Sequence, residues 1–285
     1  RIIARENRVK INNIEKINEE LKVRFESSEK LDEIKKSFLQ NYRSVKFNID
    51  NNIVFISIDQ LFKKSIQDSA IKQSLEIVRK RIDESGTKEP LIQRSGKKRI
   101  LLQLPGIKDP ERIKELLGKT AKLTFHLVDD ENAAALKANI EPFGKMIVSD
   151  IYDESIKYLL DKRALVGGEN LVDAKGSFDQ TEGHAVSFRF DTEGAQKFGK
   201  ITSSNVGSRL AIVLDGLVIT APRINSAITG GSGIITGNFN AQEAADLAVL
   251  LRAGALPAPL EIVEERSVGA GLGADSIAAG QIAAI

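Results

Sequence analysis

The sequence predicts an α+β fold: a ferredoxin-like base with an inserted α+β head subdomain, plus a small N-terminal α/β unit. Three observations carry this prediction. Residues 62–128 read in the order α-β-β-α-β, one strand short of a βαββαβ unit. A helix–strand pair at 241–265 would supply that strand. The long stretch between them has strand and hairpin signals of its own, as expected of an insertion that returns the chain to its starting point. The predicted boundaries are 1–60 for the N-terminal unit, 61–130 and 236–268 for the base, 131–235 for the head, and 269–285 for the start of a membrane segment.

The N-terminal unit is legible from Leu21 onward. Leu21, Val23 and Phe25 alternate with charged residues as in a half-buried strand. Ser27 and Ser28 can cap a helix whose apolar positions are Leu31, Ile34, Phe38, Leu39 and Tyr42. Strands Val45–Ile49 and Ile53–Ile58 flank an Asn51-Asn52 turn.

In the base, a helix is predicted from Phe62 to Ser85, with Ile66, Ala70, Leu75, Val78 and Ile82 on its apolar side and Gly86 beyond its end. Strands Leu91–Arg94 and Arg99–Leu104 flank a basic turn at Ser95–Lys98. Asp109-Pro110-Glu111 is a helix start, combining a capping carboxylate, a first-turn proline and a first-turn acid. That helix ends at Gly118, and Ala121–Leu127 follows as a strand. Asn240 and Glu243 form a capping-box start for a helix at Ala241–Arg252, closed by Gly254. Pro259 then introduces a short strand, Leu260–Glu265.

Within the head, Ala185–Phe190 alternates as a strand. Asp191 or Thr192 can cap a helix bearing Ala195, Phe198 and Ile201 on one face. Arg209–Leu214 and Leu217–Thr220, joined by Asp215-Gly216, are the strongest hairpin signal, because Asp-Gly readily supplies two positive φ angles. Gly230-Gly231-Ser232-Gly233 reads as a flexible connection, and 131–165 yields only a loose mixed pattern.

Composition narrows the chemistry. In 285 residues there is no cysteine, which excludes disulfides, thiol nucleophiles and Cys-ligated zinc. Two histidines, His126 and His184, leave little for a His-rich metal site, and both read as surface residues. The net charge of +2 lacks the basic excess of a dedicated nucleic-acid binder. A basic cluster around Ser95-Gly96 has no interleaved aromatic for base stacking, so it reads as a solvated turn.

Gly269–Ala274 satisfies a loose dinucleotide fingerprint, but too little chain follows for a βαβ unit. The glycines of 230–237 lack the Gly-Lys-Ser/Thr ending of a phosphate loop, and Ser232 lacks the final glycine of a nucleophile elbow. No motif supports catalysis, so the chain reads as a non-enzyme with no cofactor and no metal. The closing apolar run Ile277–Ile285 begins a membrane helix or ends a frayed one, and the residues alone do not choose between the two.

Several runs together resemble a known family. They are Arg81-Ile82-Asp83-Glu84-Ser85-Gly86, Ile100-Leu101-Leu102-Gln103-Leu104-Pro105-Gly106 and Leu117–Phe125. Further on come Leu214-Asp215-Gly216, Ile228–Gly231, Thr236–Phe239 and, most specifically, Leu250–Arg266. In order and spacing this is similar to the large extracytoplasmic domain of the SecD family of Sec protein-translocase accessory subunits.

The resemblance implies a bacterial inner-membrane protein, with this segment on the periplasmic face between two flanking membrane helices. It implies partners in SecF, the SecYEG channel and unfolded preprotein, and a role in export driven by the proton-motive force. The proton-carrying residues would lie outside the segment. An alternative is the periplasmic docking domain of a related proton-driven exporter of small amphiphiles. The two differ in whether the parent gene encodes about six membrane helices or a second periplasmic loop of similar size.

An inserted head can pivot where its two connections absorb backbone rotation. The candidate hinge residues are Leu127, Asp129 and Asp130 on one side and Gly233 and Gly237 on the other. In this reading the acidic run is solvated, the glycines supply conformational freedom, and unfolded chain binds by strand addition at a sheet edge. The contact residues are not identified by the sequence.

Overall fold

The computed structural model describes residues 2–42, 44–87 and 89–266. It is a mixed α/β structure in which every strand pairing within a sheet is antiparallel. The contacts divide the chain into two compact units. One contains the residues up to Glu76 together with Glu89–Leu104. The other contains the end of the long helix from Ile77 and the chain from Pro105 onward.

The first unit opens with α1 (Ile2–Glu6), β1 (Ile11–Ile17), β2 (Glu20–Phe25), α2 (Leu31–Asn41), β3 (Val45–Asp50) and β4 (Ile53–Ile58), followed by α3 (Gln60–Glu84). Its sheet has the order β1-β2-β4-β3. Alternation places Val23, Phe25, Phe47 and Val54 on one face, where they are buried with Leu31 and Ile34 of α2. Asn51, at φ 52°, makes the tight β3–β4 turn. The cap of α2 differs from expectation. Lys30, in the left-handed region at φ 64°, occupies the N-cap, while the Ser27 hydroxyl accepts the Glu29 amide at 3.1 Å. The same unit holds β5 (Leu91–Ser95) and β6 (Arg99–Gln103), which pair only with each other among the described residues.

The second unit continues with α4 (Pro110–Gly118), β7 (Leu123–Leu127), α5 (Ala133–Lys137), β8 (Lys145–Ser149), β9 (Lys157–Asp161) and β10 (Val166–Gly167). Next come β11 (Leu171–Asp179), β12 (Gly183–Phe190), α6 (Thr192–Ser204), β13 (Leu210–Leu214), β14 (Leu217–Thr220), β15 (Ser232–Phe239) and α7 (Ala241–Ala253). The strands form a sheet β10-β7-β13-β14, a sheet β11-β12-β15 and a hairpin β8-β9. The helix starts follow the sequence signals. Asp109 accepts the Arg112 amide, Asp191 accepts the Gly194 amide, and Asn240 with Glu243 completes a capping box. Asp215 (φ 49°) and Gly216 (φ 86°) form the β13–β14 turn.

Two aromatic-rich surfaces meet inside this unit. Phe125 of β7, Phe188 and Phe190 of β12 and Phe198 of α6 form a cluster with ring centroids 5.2–6.2 Å apart. The helix α7 lies on the β11–β12–β15 sheet, where Gly176 of β11 faces Ala244 and Ala245 with room for an ordinary Cβ contact.

Three expectations are corrected here. Leu260–Glu265 is not a strand: Glu261–Arg266 are exposed, and among the described residues the segment has neither a ladder partner nor a buried face to reward its alternation. A four-stranded βαββαβ sheet is therefore not formed among the described residues. Second, β13–β14, expected within the head, pairs with β7, expected in the base, through the register Leu210↔Leu127 to Leu214↔Leu123. The helix α7, also expected in the base, packs on the sheet of the expected head. Third, Gly230–Gly233 is not a flexible connection, since Ser232 and Gly233 begin β15. The predicted membrane segment 269–285 and the glycines Gly269–Gly273 lie outside the described residues. Among the described residues no helix is long and apolar enough to cross a membrane.

Candidate functional site

The structure brings three of the predicted hinge residues together. Leu127 ends β7 opposite Leu210, and the Asp129 amide donates to the Leu159 carbonyl at 2.8 Å. The Asp129 carboxylate is only 6% exposed and pairs with Lys145 at 2.8 Å. It also accepts the Asn132 amide at 3.1 Å and the Asn132 side chain at 2.8 Å. The ammonium of Lys145 and the Asn132 donors hold this carboxyl down at about 2, well below the usual carboxylate range. Lys145 also reaches Asp161 at 2.6 Å. Asp130 pairs with Arg209 at 3.2 Å, and the Arg209 guanidinium stands 5.3 Å from the centre of the Tyr158 ring. The expected solvated run is thus fastened at its first two carboxylates, Asp129 and Asp130, which meet cations brought in by β8 and by the chain just before β13.

Gly233 and Gly237 lie apart from that junction in sequence and in sheet, within β15. Neither has a positive φ. A Cβ on Gly233 would stand 2.6 Å from the Phe188 ring, and one on Gly237 would stand 3.0 Å from the Phe239 ring. These glycines make room for aromatic side chains in a paired strand; they do not loosen a connection.

The sheet β11–β12–β15 has a buried face and an open one. The rungs Ala174–Phe188–Gly233 and Gly176–Val186–Ile235 face inward. The intervening rungs Asp173–Arg189–Ser232 and Lys175–Ser187–Ile234 line an open groove of about 550 Å³. Ile234 is 51% exposed there. At the edge of the sheet, β11 has β12 as its one strand neighbour among the described residues; its Ala174 carbonyl accepts the Arg252 guanidinium, and it presents Val172 and Phe178 to solvent. This edge and face together provide main-chain pairing groups, apolar contacts and opposite charges without an enclosed pocket.

The residue that most organises the second unit is Arg81, which sequence reasoning quoted in a motif and gave no role. It is fully buried. Its Nη1 donates to the carbonyls of Leu116 (2.7 Å) and Lys119 (2.5 Å), and its Nη2 to those of Thr120 and Gly254 (3.2 Å each). The guanidinium therefore supplies donors to the backbone ending α4 and to the end of α7, where helices leave carbonyls unpaired. Burial pushes it down to about 10, with the Asp215 carboxylate opposing that shift. Bidentate Arg112–Asp246 and Arg252–Glu84 pairs join α4 to α7 and α7 to the end of α3.

The expected surface position of His126 is also corrected. It is 4% exposed, with Nδ1 2.7 Å from the Asp161 carbonyl and Nε2 3.0 Å from the Thr124 hydroxyl. Burial pushes its pKa down. Those two contacts serve the ring as a buried polar strut between β7 and β9, while His184 stacks edge-on against Phe178. Among the described residues no group of three or more His, Asp or Glu side chains could hold a metal ion.

Known proteins resemble this arrangement. The family described as SecDF, P1 head subdomain, matches residues 145–258, and the N-terminal P1 domain of protein translocase subunit SecDF matches 71–130. The segment so matched begins at 145 and includes α7. Protein translocase subunit SecD of Rickettsia conorii is 44% identical over 286 residues, covering 99% of this chain and 55% of the relative. That of Acetobacter pasteurianus is 49% identical over 242 residues, covering 84% of this chain and 46% of the relative. The chain thus spans about half the length of these curated relatives.

A solved structure described as a membrane component SecDF that enhances protein export is 36% identical, with a TM-score of 0.57. It covers 70% of this chain, and 94% of its own length is matched. By sequence over nearly its whole length and by fold over most of it, the chain belongs to the SecD/SecDF protein-translocase family.

Proposed function

We propose that the chain is the extracytoplasmic part of a Sec translocase accessory subunit, on the periplasmic face of a bacterial inner membrane. There it holds emerging, unfolded preprotein beside SecF and the SecYEG channel. The observation that carries this reading is the match of 71–130 and 145–258 to the two P1 segments of SecDF. The site that suits it is the free edge of β11 with the open face of its sheet. An extended segment can add its backbone there and bury apolar side chains against Val172 and Phe178 without regard to sequence.

In this proposal the conformational step is driven by proton movement elsewhere in the full-length protein, and this chain performs no chemistry itself. The pairs Asp129–Lys145 and Asp130–Arg209, together with the Leu127–Leu210 rung of the β7–β13 ladder, tie Leu127–Asp130 to the matched head segment, so a pivot between base and head would bend the chain ahead of β7.

The test is fluorescence anisotropy of a labelled, permanently unfolded polypeptide titrated with the purified chain. Saturable binding that falls about tenfold or more in a Val172→Asp/Phe178→Ser variant, with unchanged circular dichroism, is the expected result. Absence of binding by the folded wild type overturns the proposal.

A further inference from the structure

The loop between α5 and β8 carries a feature that protein export by the sheet edge does not use. Phe143 has a relative exposure of 106%, as open as in an extended peptide, and Ile140 is 59% exposed. A lone exposed aromatic of this size is normally tucked against its own surface; here the backbone prevents that. The Lys145 amide donates to the Pro142 carbonyl at 3.0 Å, and Gly144 sits at φ +80°. This is the pattern of a type II turn with Phe143 at its outer corner. The turn is fastened on both flanks. The Lys162 amide donates to the Gly144 carbonyl at 2.9 Å, and the Glu141 carboxylate accepts the Ile147 amide at 3.0 Å.

The flank of this tip beside the end of β9 is cationic, while the tip itself carries one carboxylate, that of Glu141. The Gly144–Lys162 bond and the β8–β9 register, which pairs Lys145 with Asp161, set Lys162 and Arg163 beside the turn. Lys137 ends α5, and Lys157 reaches the Asn139 side chain at 3.2 Å. All four cations are exposed, and none forms an ion pair among the described residues. Lys145, the fifth, is committed to Asp129 and Asp161. A rigidly presented Phe with a neighbouring Ile, flanked by the exposed Lys162 and Arg163, matches an anionic lipid surface: aromatic and aliphatic side chains enter the headgroup region while Lys and Arg meet its negative charge. An unfolded polypeptide offers no such fixed anionic plane.

We propose that the Ile140–Gly144 tip is a membrane-interface contact, docking this part of the chain onto a bilayer that contains anionic phospholipid. The sequence provides a clean probe, since the chain has no tryptophan. In the 285-residue chain, Phe143→Trp fluorescence should shift to the blue on mixing with vesicles of phosphatidylcholine and phosphatidylglycerol. Pure phosphatidylcholine should leave it nearly unchanged.

In flotation with the anionic vesicles, Phe143→Ser should lower partitioning about tenfold. Lys162→Gln and Arg163→Gln should each lower it about fivefold, and added salt should weaken it further. These positions are exposed, so circular dichroism should stay unchanged in every variant. Anionic-vesicle binding that is indifferent to Phe143→Ser and to both charge removals overturns the proposal, as does absence of vesicle binding by the wild type. Loss of unfolded-polypeptide binding in Phe143→Ser with vesicle binding unchanged assigns the tip to preprotein and overturns it too. None of these results depends on whether the β11 edge binds polypeptide.

Discussion

Arg81 shows how much structure one side chain can gather. The burial that pushes its guanidinium from 12.5 to about 10 corresponds to a cost of roughly 3 kcal/mol. Four hydrogen bonds from a charged donor, each worth about 1.5–3 kcal/mol, outweigh that cost. Arg81→Met keeps the volume but leaves the carbonyls of Leu116, Lys119, Thr120 and Gly254 without this donor. It should lower the unfolding free energy by about 3 kcal/mol or more in urea titrations. Arg81→Lys should recover only part, because one ammonium cannot span four acceptors as a planar fork can. A loss below about 1 kcal/mol for Arg81→Met would contradict the clamp.

Asp129 makes the complementary case for an acid. Its folded carboxyl titrates at about 2 against an ordinary 3.8, so near pH 3 the unfolded chain binds a proton that the folded chain does not. The stabilisation is full above about pH 4 and is lost as pH falls through 2. Allowing for solvent screening, Asp129→Asn should cost about 1–2 kcal/mol at neutral pH and flatten acid unfolding in that window. Neither role was legible in the sequence. The partners of Arg81 lie up to 173 positions away, and Asp129-Asp130-Glu131 read alone looks like any solvated acidic run.

At the scale of elements, what the sequence disclosed was local and what it withheld was pairing. Caps at Asp109, Asp191 and Asn240 and the Asp215-Gly216 turn were readable because each signal and its partner lie within a few residues. The choice of β7 as the neighbour of β13, and the failure of Leu260–Glu265 to become a strand, depend on which distant ladder offers a buried face. Glycine 233 was misread for the same reason, since its purpose is visible only across the strand. Gly233→Ala should cost about 1–3 kcal/mol, because Phe188 is held by three other rings and cannot yield freely. Gly96→Ala, at φ +64° with nothing within 4 Å of its Cβ, should cost only about 1 kcal/mol from left-handed strain. Thermal unfolding of the two variants compares overpacking with backbone strain directly, and a loss below about 1 kcal/mol in Gly233→Ala would dismiss the close-approach account of Gly233.

At the scale of the whole molecule, two apolar clusters stand apart among the described residues. One cluster draws on Ala4, Val23, Phe25, Leu31, Ile34, Phe47 and Val54; another draws on Val148, Leu160, Ala211, Val213 and Val218, with no residue in common. Val54 and Val218 are both fully buried, so Val54→Ala and Val218→Ala each delete two buried carbons and leave a cavity, worth about 2 kcal/mol apiece. Sites without shared partners usually act additively, within about 0.5 kcal/mol. Native-state hydrogen exchange read by segment tests this division. Val54→Ala should speed exchange across residues 11–58 and leave 123–127 and 210–220 unchanged, and Val218→Ala should do the reverse. Faster exchange of both regions in either variant would mean that the chain opens as one cooperative body. In that case the pivot proposed above would have to work against the Arg81 bonds and the Asp129–Lys145 pair within the second unit.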